Sequence, residues 1–452
     1  MRIAVVGDVL LDEDVRGGAR RLSPDGPVPV VDVEETRRRA GGAGLAAGLL
    51  ASAGHEVVLV TVLGDDDAGT RLRDVLTGTE VVAGPSGSPT PVKRRLLAGA
   101  HVVARMDEGC GAGARPESTA EMRAALERAD AVLVSDYGRG LCEDPALREA
   151  LRLRAAAVPV VWDPHPRGAQ PVSGVAAVTP NAAEAAALTG TPADDCRTAT
   201  RAAAALLRTW PAEAAVVTLG GEGALALERG GLPLFAPVHR TAAGDACGAG
   251  DRFAGSLCAH LAAGAPLGRA TEAAVAEAAA FIAAGGVGAP AQETAEHGLG
   301  TSNSLDARLE TVRAQGGTVV ATGGCFDLLH AGHARTLAAA RRLGDVLVVC
   351  VNSDASVRRL KGPGRPFVPQ EDRVALLEAL ACVDAAVVFE EDSPERTLER
   401  LRPDLWVKGG DYTADSLPET ELVSRWGGQT VTVPFLPGRS TTSLAAARDA
   451  AG

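Results

Sequence analysis

Residues 248–264 read GAGDRFAGSLCAHLAAG, a glycine turn that runs directly into a helical pattern of small and apolar residues. The two glycines around Ala249 let backbone N–H groups approach an anion, and the start of a helix adds partial positive charge at the same point. Asp251 then falls in the first helical turn, suited to accept a hydroxyl proton as that oxygen attacks a phosphoryl group. The plainer alternative is a glycine turn whose aspartate only favours the helix start.

Upstream of this turn lie short apolar, β-branched runs: RIAVVGD (2–8), VVLVTVLG (57–64), AVLVSD (131–136), VPVVWD (158–163), AAVTPN (176–181) and AAVVTLGG (214–221). Alanine- and leucine-rich helical patterns separate them, as at 118–129, 143–156 and 198–208. Such alternation predicts an α/β fold, a doubly wound, mostly parallel sheet whose ligands bind beyond the strand carboxyl ends. Residues 14–40 and 90–108 break the pattern with mixed β-branched and charged residues. They read as antiparallel strands forming a small β lid, or as ordinary surface loops.

A polar, turn-rich stretch at 289–316 precedes a second strand–turn–helix series beginning with TVVATGG (318–324). The expected domains are therefore 1–295, a linker at 296–316, and a second, smaller Rossmann-like α/β domain at 317–452. That series carries its own glycine turn, GGCFDLLHAGH (323–333), with His330 and His333 at a helix entrance. Three apart on a helix, both imidazoles face one way. They suit charge stabilisation on a phosphate during nucleotidyl transfer. A zinc site and a purely structural pair are the other readings, although no third ligand stands at metal spacing.

The 452 residues carry a formal net charge of -12, which argues against a nucleic-acid-binding surface. No two of the eight cysteines have C-x-x-C spacing, so reduced thiols in a cytoplasmic protein are expected. No stretch reaches the ~20 apolar residues of a membrane span, so no membrane association is expected.

GDACGAGDRF (244–253), GGAG (41–44), TPNAAE (179–184) and TLGGEG (218–223) resemble, in order, the signatures of the ribokinase-like sugar kinases. The resemblance implies Asp251 as catalytic base and Gly248, Ala249 and Gly250 as the anion hole. It implies Asn181 and Glu184 positioning Mg²⁺ through water, with Thr218 and Gly220 near ATP and a possible K⁺ requirement. GDVLLDE (7–13), RLSPDGPVPVV (21–31), TPVKRR (90–95) and VSDYGRG (134–140) are similar to the heptose 7-phosphate kinases within that family. By that likeness Asp12, Gly41 and Gly42 meet the sugar, and Lys93, Arg94 and Arg105 grip its phosphate. Leu45, Ala246 and His165 depart from the family pattern.

The second glycine turn resembles the H-x-G-H signature of the cytidylyltransferase-like nucleotidyltransferases. VNSDASVRRLKG (351–362), VKGGDY (407–412) and GRSTTSL (438–444) follow in that family's order. The resemblance implies His330, His333 and Lys361 at the reacting phosphate. Asp327, Arg373 and Asp411 would shape the nucleotide or sugar pocket, and Ser440, Thr441 and Thr442 would meet the triphosphate. The whole chain is similar to the bifunctional heptose kinase–adenylyltransferases. That implies ATP and Mg²⁺ as cofactors, a sugar phosphate as substrate and a homodimer joined through the lid. The same pattern admits another sugar or nucleotide, or a first half that only binds.

Overall fold

The computed structural model describes residues 1–452 apart from 25, 27, 100, 112, 239–245, 287–304, 411–416 and 435–452. Two compact units divide the chain. The first comprises Met1–Gly190, Ala205–Thr218 and Arg240–Gln292; the second comprises Thr191–Ala204, Leu219–His239 and Glu293–Gly452.

The first unit is built on β1 (Arg2–Gly7), with its buried run IAVV, flanked by β4 (Glu56–Leu63) and β8 (Ala131–Ser135). Strands buried on both faces read as continuous apolar runs, and that is what these sequences supply. β5 (Glu80–Pro85) extends one side of the sheet. β9 (Val160–Asp163), β10 (Ala177–Val178) and β11 (Ala214–Thr218) extend the other. All these pairings are parallel. Helix Ala43–Ser52 packs beside helix Ala249–Ala262, which in turn packs on helix Leu267–Ala283.

The expected lid is a separate four-stranded sheet in the order β3-β2-β6-β7. Its members are β2 (Val9–Leu22), β3 (Pro29–Gly42), β6 (Val92–Ala98) and β7 (His101–Glu108). The β2–β3 and β6–β7 pairs are antiparallel, whereas β2 and β6 run parallel. β7 is exposed along its whole length.

In the second unit, parallel strands β14 (Val319–Gly324), β15 (Val346–Asn352), β16 (Ala385–Phe389), β17 (Leu405–Gly409) and β18 (Gln429–Val433) surround a core that includes the fully buried Trp406. The hairpin β12 (Gly223–Glu228) and β13 (Leu234–Pro237) joins this unit through Leu234, which pairs with Thr432 of β18.

Candidate active sites

In the first unit, Gly248 caps helix Ala249–Ala262 at φ 80, a left-handed conformation that glycine adopts without strain. The Ala249 N–H donates to the Ala246 carbonyl at 3.1 Å. Gly250 and Asp251 follow in the first turn, where N–H groups lack intrahelical acceptors. Among the described residues, a Cβ added at Gly250 would meet nothing within 4 Å.

Asp251 is 8% exposed. Its Oδ1 accepts a hydrogen bond from the Tyr137 hydroxyl at 3.1 Å. Burial raises its pKa to about 7, with Asp12 and Glu184 adding to the rise while Tyr137 and Lys93 oppose it. A carboxylate poised near neutrality is the protonation state general-base chemistry calls for. Tyr137 comes from the turn after β8, and the same turn's backbone is pinned by two aspartates. Asp8 Oδ2 accepts from the Arg139 N–H at 3.0 Å, and Asp136 Oδ1 from the Gly138 N–H at 2.8 Å.

Asn181 and Glu184 form a reciprocal capping box on helix Ala182–Thr189, at 2.9 Å in each direction. An isolated parallel bridge sets Asn181 beside Thr218, and Gly220 turns the chain at φ 57 soon after. Asp163, half-buried at the end of β9, has its pKa raised by desolvation and then by Asp251 and Glu184. Among the described residues no group of three His, Cys, Asp or Glu side chains is arranged to hold a metal directly.

Gly42 stands at φ 62 as the N-cap of helix Ala43–Ser52, and a Cβ there would collide with the Asp8 carbonyl oxygen. A Cβ at Gly41 would lie 2.6 Å from Asp12 Oδ2. Register puts Lys93 directly beside Asp12, so the two share a face of the lid. Arg94 is a correction to the sequence-based expectation. Strand alternation turns it to the opposite face, where Glu13 holds it at 2.8 Å and Glu108 pairs with it as well. Arg105 is half-exposed and paired with Asp107 at 2.8 Å.

In the second unit the turn after β14 is strained: Phe326 and Leu328 take φ of 48° and 55°. Such outliers in non-glycine residues concentrate at functional sites. His330 caps helix Ala331–Arg341, its Nδ1 accepting from the Gly332 N–H at 3.1 Å. The His330 and His333 rings stack with centroids 3.9 Å apart and planes 20° apart, and Phe326 packs against His333 at 5.3 Å. Burial, then the neighbouring His330, lowers the His333 pKa to about 4. Among the described residues its buried Nδ1 has no hydrogen-bond partner.

Lys361 ends helix Asp354–Lys361. Burial raises the Cys325 thiol, and Lys361 is the foremost charge opposing that rise. Asp327 and Arg373 differ from the expected ligand-facing pair. Asp327, buried, takes the Phe367 N–H at 2.9 Å and pairs with Arg365 at 2.9 Å. Arg373, wholly buried, donates to the carbonyls of Val368, Cys325 and Asn352 and pairs with Asp354 at 2.7 Å. Both therefore brace the loops around the histidines. Asp411, Ser440, Thr441 and Thr442 lie outside the described residues.

Sequence reasoning missed Tyr137, Arg139 and Lys408. The first two sit in VSDYGRG at a strand carboxyl end, which was the available signal. Lys408, 3.4 Å from Glu419 and 4.8 Å over the Trp406 ring, ends a strand in the same way.

Comparison with known proteins accords with these two sites. Residues 2–295 match the pfkB family carbohydrate kinase model, and residues 321–434 match the cytidylyltransferase-like model. The bifunctional protein HldE of Streptomyces coelicolor is 53% identical over 98% of this chain and 96% of its own. That of Geobacter sulfurreducens is 39% identical over 97% and 94%. An Arabidopsis thaliana ribokinase solved with ribose and ATP shares the fold at 20% identity and a TM-score of 0.50, over 62% of this chain and 92% of that one. The chain belongs to the family of bifunctional HldE proteins, a pfkB family carbohydrate kinase followed by a cytidylyltransferase-like segment.

Proposed function

We propose that the first unit phosphorylates heptose 7-phosphate at its anomeric oxygen, giving heptose 1,7-bisphosphate. The second transfers an adenylyl group from ATP to heptose 1-phosphate, giving ADP-heptose and releasing pyrophosphate. The observation that carries this reading is the pairing, in one chain, of a near-neutral carboxylate at an open helix start with a stacked histidine pair at another.

In the kinase half, Asp251 takes the proton of the anomeric hydroxyl as its oxygen attacks the γ-phosphoryl group, and ADP leaves. The first-turn amides of helix Ala249–Ala262 face the charge that develops. Glu184 raises the pKa of both Asp163 and Asp251, an excess of negative charge that fits a divalent cation nearby. Asn181 and Glu184 would hold Mg²⁺ through water, and when bound it neutralises triphosphate charge. In the transferase half, His330 and His333 meet the reacting phosphate, Lys361 neutralises developing charge, and Asp327 and Arg373 keep the surrounding loops in place.

The test is two assays on the full chain. Asp251→Asn is expected to abolish ADP formation from heptose 7-phosphate and spare pyrophosphate release from heptose 1-phosphate. His333→Ala is expected to do the reverse. Loss of both activities from either folded variant overturns the assignment.

Three finer points belong to the same reading. A K⁺ ion assists the kinase, tested by its rate in K⁺ against a non-binding counterion. A second copy docks on the lid, supported by exposed Val33, Val102, Val103 and Met106 on β3 and β7; Val102→Asp is expected to halve the sedimenting mass. The compartment is the cytoplasm, tested by cell fractionation.

A further inference from the structure

Two carboxylates stand at neighbouring strand ends of the first unit with no cation beside them. Asp8 follows β1 and Asp136 follows β8, and both are buried. Among the described residues neither forms an ion pair. Burial is the foremost cause raising the pKa of each, that of Asp136 to about 6 with Asp8 adding to the rise. An unpaired carboxylate in such a place costs stability, and a neutral acceptor serves a merely structural loop at less cost. Groups of this kind concentrate where function retains them.

Both direct their oxygens at backbone N–H groups. Asp8 Oδ2 accepts from Arg139 at 3.0 Å and from Tyr137 at 3.4 Å. Asp136 reaches across two loops. Its Oδ1 accepts from the Gly138 N–H at 2.8 Å and its Oδ2 from the Ala169 N–H at 2.7 Å, which joins the 137–140 turn to the 165–169 loop. The fit is close. A Cβ at Gly168 would lie 2.3 Å from Asp136 Oδ2, and one at Gly138, where φ is 72, would lie 2.8 Å from His165 Nδ1.

Tyr137 sits between Asp136 and Gly138, so its main chain is fixed on both sides while its hydroxyl donates to Asp251 Oδ1 at 3.1 Å. Among the described residues Tyr137 is the only side chain that hydrogen-bonds Asp251. The charged groups facing Asp251 are Asp12, Glu184, Asp163 and Lys93. Those facing Asp136 are Asp8 and Glu143. Around both carboxylates, therefore, negative charge predominates, and hydrogen bonds from fixed donors are what favour the ionised form.

We propose that Asp136 is a positioning residue for the kinase reaction: by joining the turn that carries Tyr137 to the 165–169 loop, it holds the Tyr137 hydroxyl against Asp251. The inference rests on the sugar-kinase reading of this unit and adds a residue that acts only through Tyr137. Asp136 is acceptor-only when ionised, so both of its backbone bonds depend on the carboxylate. An amide in its place turns an N–H₂ group toward one of the two backbone N–H donors and loses that bond.

The test combines two readouts on the full chain, one of them independent of turnover. Tyr137 is one of two tyrosines in the sequence, so protein labelled with carbon-13 at the hydroxyl-bearing ring carbon gives a two-line spectrum. Its resonance is assigned by its loss in Tyr137→Phe. In the native chain that resonance is expected to titrate with Asp251 near pH 7, and in Asp136→Asn the titration is expected to vanish. In ADP formation, Asp136→Asn is expected to move the acid limb of kcat/KM up by about one pH unit, tenfold in the ionisation constant of the base. In a Tyr137→Phe background it is expected to add no further shift, because both changes remove the same hydrogen bond. Gly168→Ala crowds Asp136 Oδ2 without removing the carboxylate and is expected to give a smaller shift of the same sign, which decides the matter should Asp136→Asn fail to fold. A Tyr137 resonance that does not titrate in the native chain, or titrates unchanged in the variants, overturns the positioning role. So does a limb that stays or falls, or a shift that adds in full to that of Tyr137→Phe. A native chain that forms no ADP, yet whose Tyr137 titration is lost in Asp136→Asn, upholds the positioning role and overturns the kinase reading instead.

Discussion

Tyr137→Phe removes one hydrogen bond from Asp251, the base proposed for the kinase, and almost no volume. The Tyr137 hydroxyl lies 3.1 Å from Asp251 Oδ1 and is the foremost influence opposing the burial that lifts Asp251 to about 7. A hydrogen bond to a charged group contributes about 1.5–3 kcal/mol, and 1.36 kcal/mol corresponds to one pH unit. The acid limb of kcat/KM for ADP formation is therefore expected to move up by roughly one to two pH units. At about pH 7.5 the ionised fraction of the base then falls roughly threefold for a shift of one unit and roughly 25-fold for two. Activity returns toward the native value as pH rises past the shifted limb. The assay is ADP release across pH 6–10, with pyrophosphate release from the same preparation as the internal standard. A uniform loss at every pH, or a limb that stays in place, refutes the argument that Tyr137 holds the base in its ionised form.

Three further outcomes follow from the same geometry. Gly42→Ala forces a Cβ onto the Asp8 carbonyl at φ 62, so it is expected to lower stability by at least ~1–2 kcal/mol, read by denaturant melts, and to impair only the kinase. His333 resists protonation in the folded chain to about 4, against 6.5 for a free imidazole, so the unfolded state binds more protons between those values. Stability from this group is complete above 6.5 and is lost as pH falls toward 4, and His333→Gln is expected to flatten that part of the Tm profile. Asp327→Asn weakens the Arg365 pair and the 365–368 loop, and is expected to raise transferase KM values while ADP formation stays constant.

The glycine turns were legible because few residues other than glycine take the conformations they need, and Gly42 and Gly248 both stand at positive φ. His330 and His333 were legible from their spacing, although His330 is the extended N-cap and only His333 is helical, so it is the cap geometry that stacks the rings. Other features were encoded at long range. Tyr137 meets Asp251 across 114 positions, and no local period records that contact. Lys93 and Arg94 look interchangeable in sequence, yet strand alternation separates them, one beside Asp12 and the other beside Glu13. Asp327 and Arg373 have the residue types of ligand contacts, but burial commits both to backbone groups of their own loops. The hairpin β12–β13 groups with the second unit through one strand pairing that the order of motifs gave no reason to expect.

The stacked imidazoles of the second unit limit how much positive charge that site can keep in reserve. With ring centroids 3.9 Å apart and one ring desolvated, a doubly protonated pair is disfavoured before any ligand arrives. A polyphosphate entering there reverses the balance, because its own negative charge makes an imidazolium favourable. The proton that completes the electrostatic match would then be captured from solvent as the nucleotide docks. Catalytic readiness at this end of the chain would thus arrive together with the substrate.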